Sequence, residues 1–406
     1  MKLIITPTYD MAKAVAGATG EYEETTDSFV SRDTHIVWTH GDVVGLNLND
    51  RITDNDFPGQ LNARQIAAQY YTPVVREQPS ISSRDYAALR LIEQLASFVQ
   101  EIIFITYPWD DGEKYMQALI AFLSPQAPCR RIVLQEMTEN AISDALCRMP
   151  TPKLDSYLSD NAMRRVVAYD MVTTRPEELK GSPAFSDKAG ELLKNIKKAI
   201  DRQEAGAKIL PDKAKNERTY TFGTYLSLET ATAILSAKYG MGLHSIMCSL
   251  VSLYEKGKIT NPVTHCKGEN PMCGAVLGHV GPILPAGSVD KSMLGVPYDH
   301  INAPDEPISR DAAVYSLIVE HTDKVKGGNV TTVVCPSYES DKGLPLAEIL
   351  SKSPDSWVAG ASASFVADGC IGSLIEQLIR NEMVYIDDEC VHITEEGHRF
   401  LDFLNN

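Results

Sequence analysis

Over the first third of the chain, short apolar runs alternate with apolar residues at helical spacing, and that alternation predicts its architecture. Lys2-Leu-Ile-Ile-Thr6 reads as a strand, a loop follows from Pro7 to Asp10, and the alanine-rich run Met11 to Ala18 reads as a helix stopped at Gly20. His35 to Thr39 is a second strand pattern, after which an irregular stretch extends to about residue 80. From Ser82 the pattern turns helical, with a capped start at Ser82-Ser-Arg-Asp85 and with Leu89, Ile92, Leu95, Ala96 and Val99 at helical spacing. Glu101 to Thr106 is then a buried strand, Lys114 to Leu123 a helix ended by Pro125, and Arg130 to Leu134 a further strand running into a helix beyond Thr138. Strand, loop and helix repeated in that order predict an α/β fold with a mostly parallel sheet and flanking helices.

The rest of the chain reads differently. Lys188 to Gln203 is an amphipathic helix set in a polar connector, and Leu226 to Tyr239 and His244 to Glu255 are two helices separated by Gly240-Met-Gly242. Ser309 to Glu320 is another helix. Gly369 to Ile379 reads as a helix followed by a hairpin, with strands Met383 to Ile386 and Val391 to Ile393 around Asp387-Asp388, and then by Thr394-Glu-Glu-Gly397.

Composition narrows the class. With 406 residues, of which 44% are hydrophobic, the chain has ample material for buried cores and for more than one domain. No apolar run is long enough to span a membrane, and Pro7 interrupts the N-terminal run too early for a secretory segment, so a cytoplasmic protein is expected. The eight cysteines are scattered, as reduced structural thiols are; His265, Cys266, Cys273 and His279 match no common zinc module. The net charge of −16 opposes phosphate binding in general, and only the stretch 151–218 is net positive, which equally suits a solvated helical face.

The candidate chemistry lies at Tyr107-Pro-Trp-Asp-Asp-Gly-Glu113, at the carboxyl end of a strand, where open α/β sheets bind their ligands. Asp110, Asp111 and Glu113 can hold a Mg²⁺ ion through one or two carboxylates with water and phosphate, or can simply cap the next helix, whose first turn favours acidic residues. A second stretch stands out, Leu253-Tyr-Glu-Lys-Gly-Lys-Ile-Thr-Asn-Pro-Val-Thr-His265.

That stretch resembles the segment of type IA DNA topoisomerases in which a helix runs into "LYE-x-G-x-I-T-Y-P-R-T-D", whose tyrosine attacks a DNA phosphodiester. Here the tyrosine position is Asn261 and the arginine position Val263, and an asparagine amide offers no nucleophile for covalent catalysis. The resemblance spans most of the chain in order. The opening "I-x-E-K-P-S" of the toprim domain lies over Ile5 to Asp10, so its glutamate is Pro7; "D-P-D-R-E-G-E" lies over Tyr107 to Glu113, so its two aspartates are Tyr107 and Trp109. Asp111 and Glu113 stand at glutamate positions and Asp110 at an arginine position. Glu136, Thr138, Ala141 and Ile142 match "E-x-T-x-x-A-I", Asn161 to Arg165 resembles a DNA-contacting helix bearing Arg164 and Arg165, and His279 lies over a phosphate-contacting histidine after a one-residue insertion.

The resemblance implies a toprim-like domain over 1–150, a connecting helical region with a basic surface over 151–225, a helical domain like the tyrosine-bearing one over 226–345, and a winged-helix-like segment over 346–406. Residues 176–225 leave no room for the β-rich arch that closes the family's ring. It implies a catalytically degenerate homologue: a non-catalytic subunit associated with DNA, single-stranded more than duplex, or with a protein such as a true topoisomerase, in cellular DNA topology or on a mobile element. The alternatives are a metal-dependent, nuclease-like phosphoryl-transfer enzyme using Asp110, Asp111 and Glu113, and a protein-binding scaffold with no nucleic-acid role.

Overall fold

A computed structural model describes residues 1–20, 22–39, 44–46, 61–73, 83–147, 159–160, 162–164, 166–167, 190–201, 218–239, 241, 243–262, 282–295, 307–335, 344–345, 375, 378–379, 382–387 and 390–405. Its strands are β1 (Lys2–Thr6), β2 (Glu23–Glu24), β3 (Ser28–Val30), β4 (Thr34–Trp38), β5 (Val44–Leu46), β6 (Tyr71–Pro73), β7 (Glu101–Thr106), β8 (Cys129–Val133), β9 (Arg218–Phe222), β10 (Thr331–Cys335), β11 (Leu344–Pro345), β12 (Val384–Asp387) and β13 (Cys390–Ile393). The helices are α1 (Tyr9–Thr19), α2 (Ala63–Tyr70), α3 (Ser83–Ala96), α4 (Asp110–Leu123), α5 (Glu139–Cys147), α6 (190–201), α7 (Leu228–Tyr239), α8 (Leu243–Glu255), α9 (Pro307–Lys326) and α10 (Glu395–Asn405).

The sheet that positions the site has the order β2-β3-β4-β1-β7-β8. From β4 to β8 every pairing is parallel, while β2 and β3 add an antiparallel edge. Because successive side chains of a strand point to opposite faces, the central strands feed two cores. Leu3, Ile5, Ile102 and Phe104 pack with Leu89 and Ile92 of α3 and with Tyr115 and Leu119 of α4. Ile4, Ile103 and Ile105 face the other way, into a larger core shared with α1, α5, α7, α8 and α9. The alternating α/β expectation for the first third thus holds, and the chain continues into a mainly helical portion packed on one face of the sheet.

Four expectations need correction. The stretch expected to be irregular up to residue 80 contains, among its described residues, α2 and the antiparallel pair β5–β6. Asn62 and Gln65 form a reciprocal capping box that starts α2, a local signal present in the sequence. The helix expected from Lys114 begins at Asp110, because Trp109 has extended backbone and the turn closes immediately after it, so the acidic residues occupy the first turn. The polar connector ends in β9, where Arg218-Thr-Tyr-Thr-Phe222 pairs antiparallel with β10. Finally, the hairpin β12–β13 is present as expected, but β11 extends it to three strands and Thr394 leads into the amphipathic helix α10.

Candidate functional site

The carboxyl ends of β1, β7 and β8 lie side by side, and two stretches far apart in sequence meet there. After β8 the chain runs from Leu134 to Thr138. Thr138 caps α5 by accepting a 3.4 Å bond from the Ala141 amide while donating at 2.9 Å to Glu136. The end of α8 docks along this segment. Buried Tyr254 donates at 2.8 Å to the Leu134 carbonyl, and the Asn261 amide donates at 2.7 Å to the Gln135 carbonyl. Burial pushes the Tyr254 phenol far up, so it stays protonated and serves as a donor.

Gly257 makes this docking fit. Its φ of +64° closes α8, with its amide bonded to the Tyr254 carbonyl and the Lys258 amide bonded to the Leu253 carbonyl, both at 2.9 Å or less. A Cβ at 257 would also lie 2.6 Å from the Met137 carbonyl oxygen. The segment beyond is held by the 2.9 Å bond from the Thr260 amide to Leu284 and by the ion pair Lys258–Asp290 at 2.7 Å. That lysine and Ser292 hold the Asp290 carboxyl down at about 2.

At the end of β7 the side chains are of another kind. Tyr107 and Trp109 stack, with ring centroids 4.6 Å apart, and Trp109 in turn lies 6.1 Å from the Tyr254 ring. Trp109 and Pro7 are buried, so the positions that the topoisomerase resemblance pairs with carboxylates are filled with rings. Tyr107 donates at 2.5 Å to Glu255, which also accepts at 3.1 Å from Thr8, the residue that caps α1. Burial raises the Glu255 carboxyl above its ordinary range, the Tyr107 and Thr8 bonds pull it back, and nearby Asp10 pushes it up further.

Glu113 is engaged from all sides. Its carboxylate takes a 2.7 Å ion pair from Arg131, a 2.8 Å bond from Gln117 and a further bond from Ser159. The Arg131 and Glu113 side chains are only 9% and 6% exposed, so the pair is desolvated and each partner depends on the other. Arg131 also donates to Thr106 Oγ1 at 2.8 Å and to the carbonyls of Tyr107 and Trp109 at 2.5 and 3.1 Å. Gly112 leaves the room for this: a Cβ there would stand 2.0 Å from the Tyr107 oxygen and 2.6 Å from the guanidinium.

The sequence-predicted residues are therefore used as follows. Tyr107, Trp109 and Pro7 pack at the strand ends, and the Asn261 backbone bonds beside them. Asp111 is half exposed and pairs with Lys114 at 3.3 Å, apart from the buried Glu113. The set does not fit a resident Mg²⁺: the Glu113 oxygens already serve Arg131, Gln117 and Ser159, and among the described residues no group of three or more His, Cys, Asp or Glu side chains converges as metal ligands. Arg164 donates at 2.8 Å to the Leu61 carbonyl, an anchoring contact. Arg165, Val263, His265, Cys266, Cys273 and His279, and the side chain of Asp110, lie outside the described residues.

Sequence reasoning missed Thr8, Gly112, Arg131 and Glu255. For Arg131 the signal was a pair of adjacent arginines inside a strand of a parallel sheet, which need partners where they are buried. For Glu255 it was a carboxylate in the last turn of a helix, where the helix dipole disfavours it.

With this geometry in place, the fold has a known counterpart. The chain is similar in structure to full-length topoisomerase I from Thermotoga maritima, with a TM-score of 0.57 over 99% of this chain and 82% of that one. Sequence identity is 11%, so the likeness is one of fold. No protein-family model matches the chain, and a search of curated proteins finds no match. Among the described residues no helix is long and apolar enough to cross a membrane.

Proposed function

We propose that this chain is a non-catalytic protein of the topoisomerase I fold that acts by binding, with DNA as its partner and single strands preferred to duplex. One observation carries the loss of catalysis: the strand ends where metal-directed carboxylates and a nucleophile would meet hold Tyr107, Trp109 and the Arg131–Glu113 pair, with Asn261 alongside. Phosphoryl transfer through an enzyme-bound intermediate needs an activated nucleophile, and the Asn261 amide at the tyrosine position offers none. The nuclease-like alternative needs Glu113 free for a metal, and Glu113 is committed to Arg131.

In this reading the chain divides near residues 150, 225 and 345, lacks the arch, and ends in a winged-helix-like segment formed by β12, β13 and α10. The binding role is tested by fluorescence anisotropy with labelled single-stranded and duplex DNA across a salt titration. Expected is single-strand binding that weakens steeply with salt and falls when Arg164→Ala and Arg165→Ala are combined in a variant whose melting temperature shows that it folds.

A second reading, a protein-binding scaffold, is favoured by the net charge of −16 and by the tethering of Arg164 to Leu61. Absence of DNA binding at low salt, together with a co-purifying protein such as a true topoisomerase, supports the scaffold against the DNA reading.

A further inference from the structure

Away from the strand ends, α7, α9 and β10 enclose a cavity of about 270 Å³. Leu317, Glu320, His321 and Lys324 recur at helical spacing on one face of α9 and line it. The inner wall is apolar, formed by Leu317 with Ile234 of α7 and Val333 of β10, all buried. Sites for drug-sized molecules measure roughly 300–1,000 Å³, so this smaller space suits a single ring or a short branched chain.

His321 closes the wall without offering a free polar atom. Its Nε2 lies 2.8 Å from the Thr224 carbonyl and must donate to it, so Nδ1 of the neutral ring accepts from the Thr331 hydroxyl at 2.8 Å. Burial lowers the His321 pKa, the Thr224 bond opposes this, and nearby Lys324 lowers it further. The two lysines at the rim differ. Lys238 pairs with Glu320 at 3.5 Å and lies 5.0 Å from the Tyr239 ring centroid. Lys324 is exposed and has no carboxylate partner among the described residues. Nor is it needed to cap α9, because the carbonyls of Asp323, Lys324 and Val325 already accept from the amides of Gly327, Asn329 and Gly328 at 2.8 to 3.0 Å.

We propose that this cavity binds a small monocarboxylate, its apolar body against Ile234, Leu317 and Val333 and its carboxylate at Lys324. One unpaired cation beside an apolar wall matches one negative charge. Glu320 stands one helical turn before Lys324 on the same face of α9, and its carboxylate disfavours a dianion such as a phosphate monoester. None of the lining residues belongs to the site at the ends of β7 and β8, so a failed DNA experiment leaves this proposal standing.

The test is a ligand-observed NMR titration of the full chain with benzoate, benzyl alcohol and phenyl phosphate, near neutral pH and at fixed ionic strength. Benzoate is expected to bind saturably. Benzyl alcohol, which has the ring without the charge, is expected to bind about tenfold more weakly, and phenyl phosphate is also expected to bind more weakly than benzoate. Lys324→Gln is expected to weaken benzoate binding about tenfold. Lys326→Gln removes an equal charge from the same helix but outside the cavity, and is expected to leave benzoate binding unchanged.

Both lysines are exposed, so neither variant removes a buried contact on which folding depends. Four results would each overturn the proposal: no saturable benzoate binding, benzyl alcohol bound as tightly as benzoate, phenyl phosphate bound as tightly or more so, or equal effects of the two lysine variants.

Discussion

The ends of β7 and β8 are neighbours in one parallel sheet, yet their side chains do different work. After β8, the positions that match the topoisomerase pattern act on backbone: Thr138 caps a helix, Tyr254 reaches the Leu134 carbonyl, and Gly257 turns the chain against Met137. After β7, Tyr107 and Trp109, which depart from the pattern, stack and fill space, while Glu113, which matches it, is neutralised by Arg131 of β8. Fold likeness alone does not fix chemistry.

Mutations at the two ends sharpen this contrast. The largest loss is expected at the β7 end, from Arg131→Ala, at about 3–5 kcal/mol in urea denaturation, because a buried carboxylate loses its cation. Changing both members to neutral residues of similar volume should recover most of that loss. Full recovery would show that the ion pair serves only to satisfy itself.

Trp109→Ala comes next, at about 3 kcal/mol, because it empties the space between Tyr107 and Tyr254. At the β8 end, Gly257→Ala should cost about 1–3 kcal/mol, combining strain at positive φ with the close Met137 carbonyl. A Gly257→Ala protein as stable as wild type would dissolve the distinction between the two ends, since the docking of α8 would then not depend on backbone geometry.

The smallest effect belongs to Glu255. Its carboxyl is raised in the folded chain, chiefly by burial, so it contributes stability when protonated, below its unfolded pKa, and loses that contribution as pH rises through the folded value. Glu255→Gln keeps an acceptor for Tyr107 and Thr8 without the charge. It should melt slightly above wild type near neutral pH, and the gap should close as the pH falls into the carboxylate range. A gap that widens on acidification would mean that Glu255 is stabilised as the anion.

Much of the framework was legible in the sequence. The apolar runs at β1, β4 and β7 gave strands because the sheet is buried on both faces there, and their flanking helices followed from helical spacing and caps. The pair β5–β6 and the strand β9 were missed because short strands with few apolar residues take their stability from partners distant in sequence. At the candidate site, Tyr107, Trp109 and Asn261 were named from their positions in the sequence. What they touch was not, because Arg131 reaches its four oxygens only through the parallel pairing of β7 with β8, and Glu255 meets Thr8 only when α8 packs on the sheet. Spacing along a chain carries no record of such contacts.

The proposed lack of catalysis is tested most directly by incubating the purified protein with Mg²⁺ and a labelled single-stranded oligonucleotide, denaturing, and looking for label bound covalently to protein, with supercoiled plasmid relaxation assayed in parallel. No adduct and no relaxation are expected, for the wild type and for Asn261→Ala alike. A covalent protein–DNA adduct, or relaxation that requires Mg²⁺, would contradict the reading of these strand ends as chemically closed.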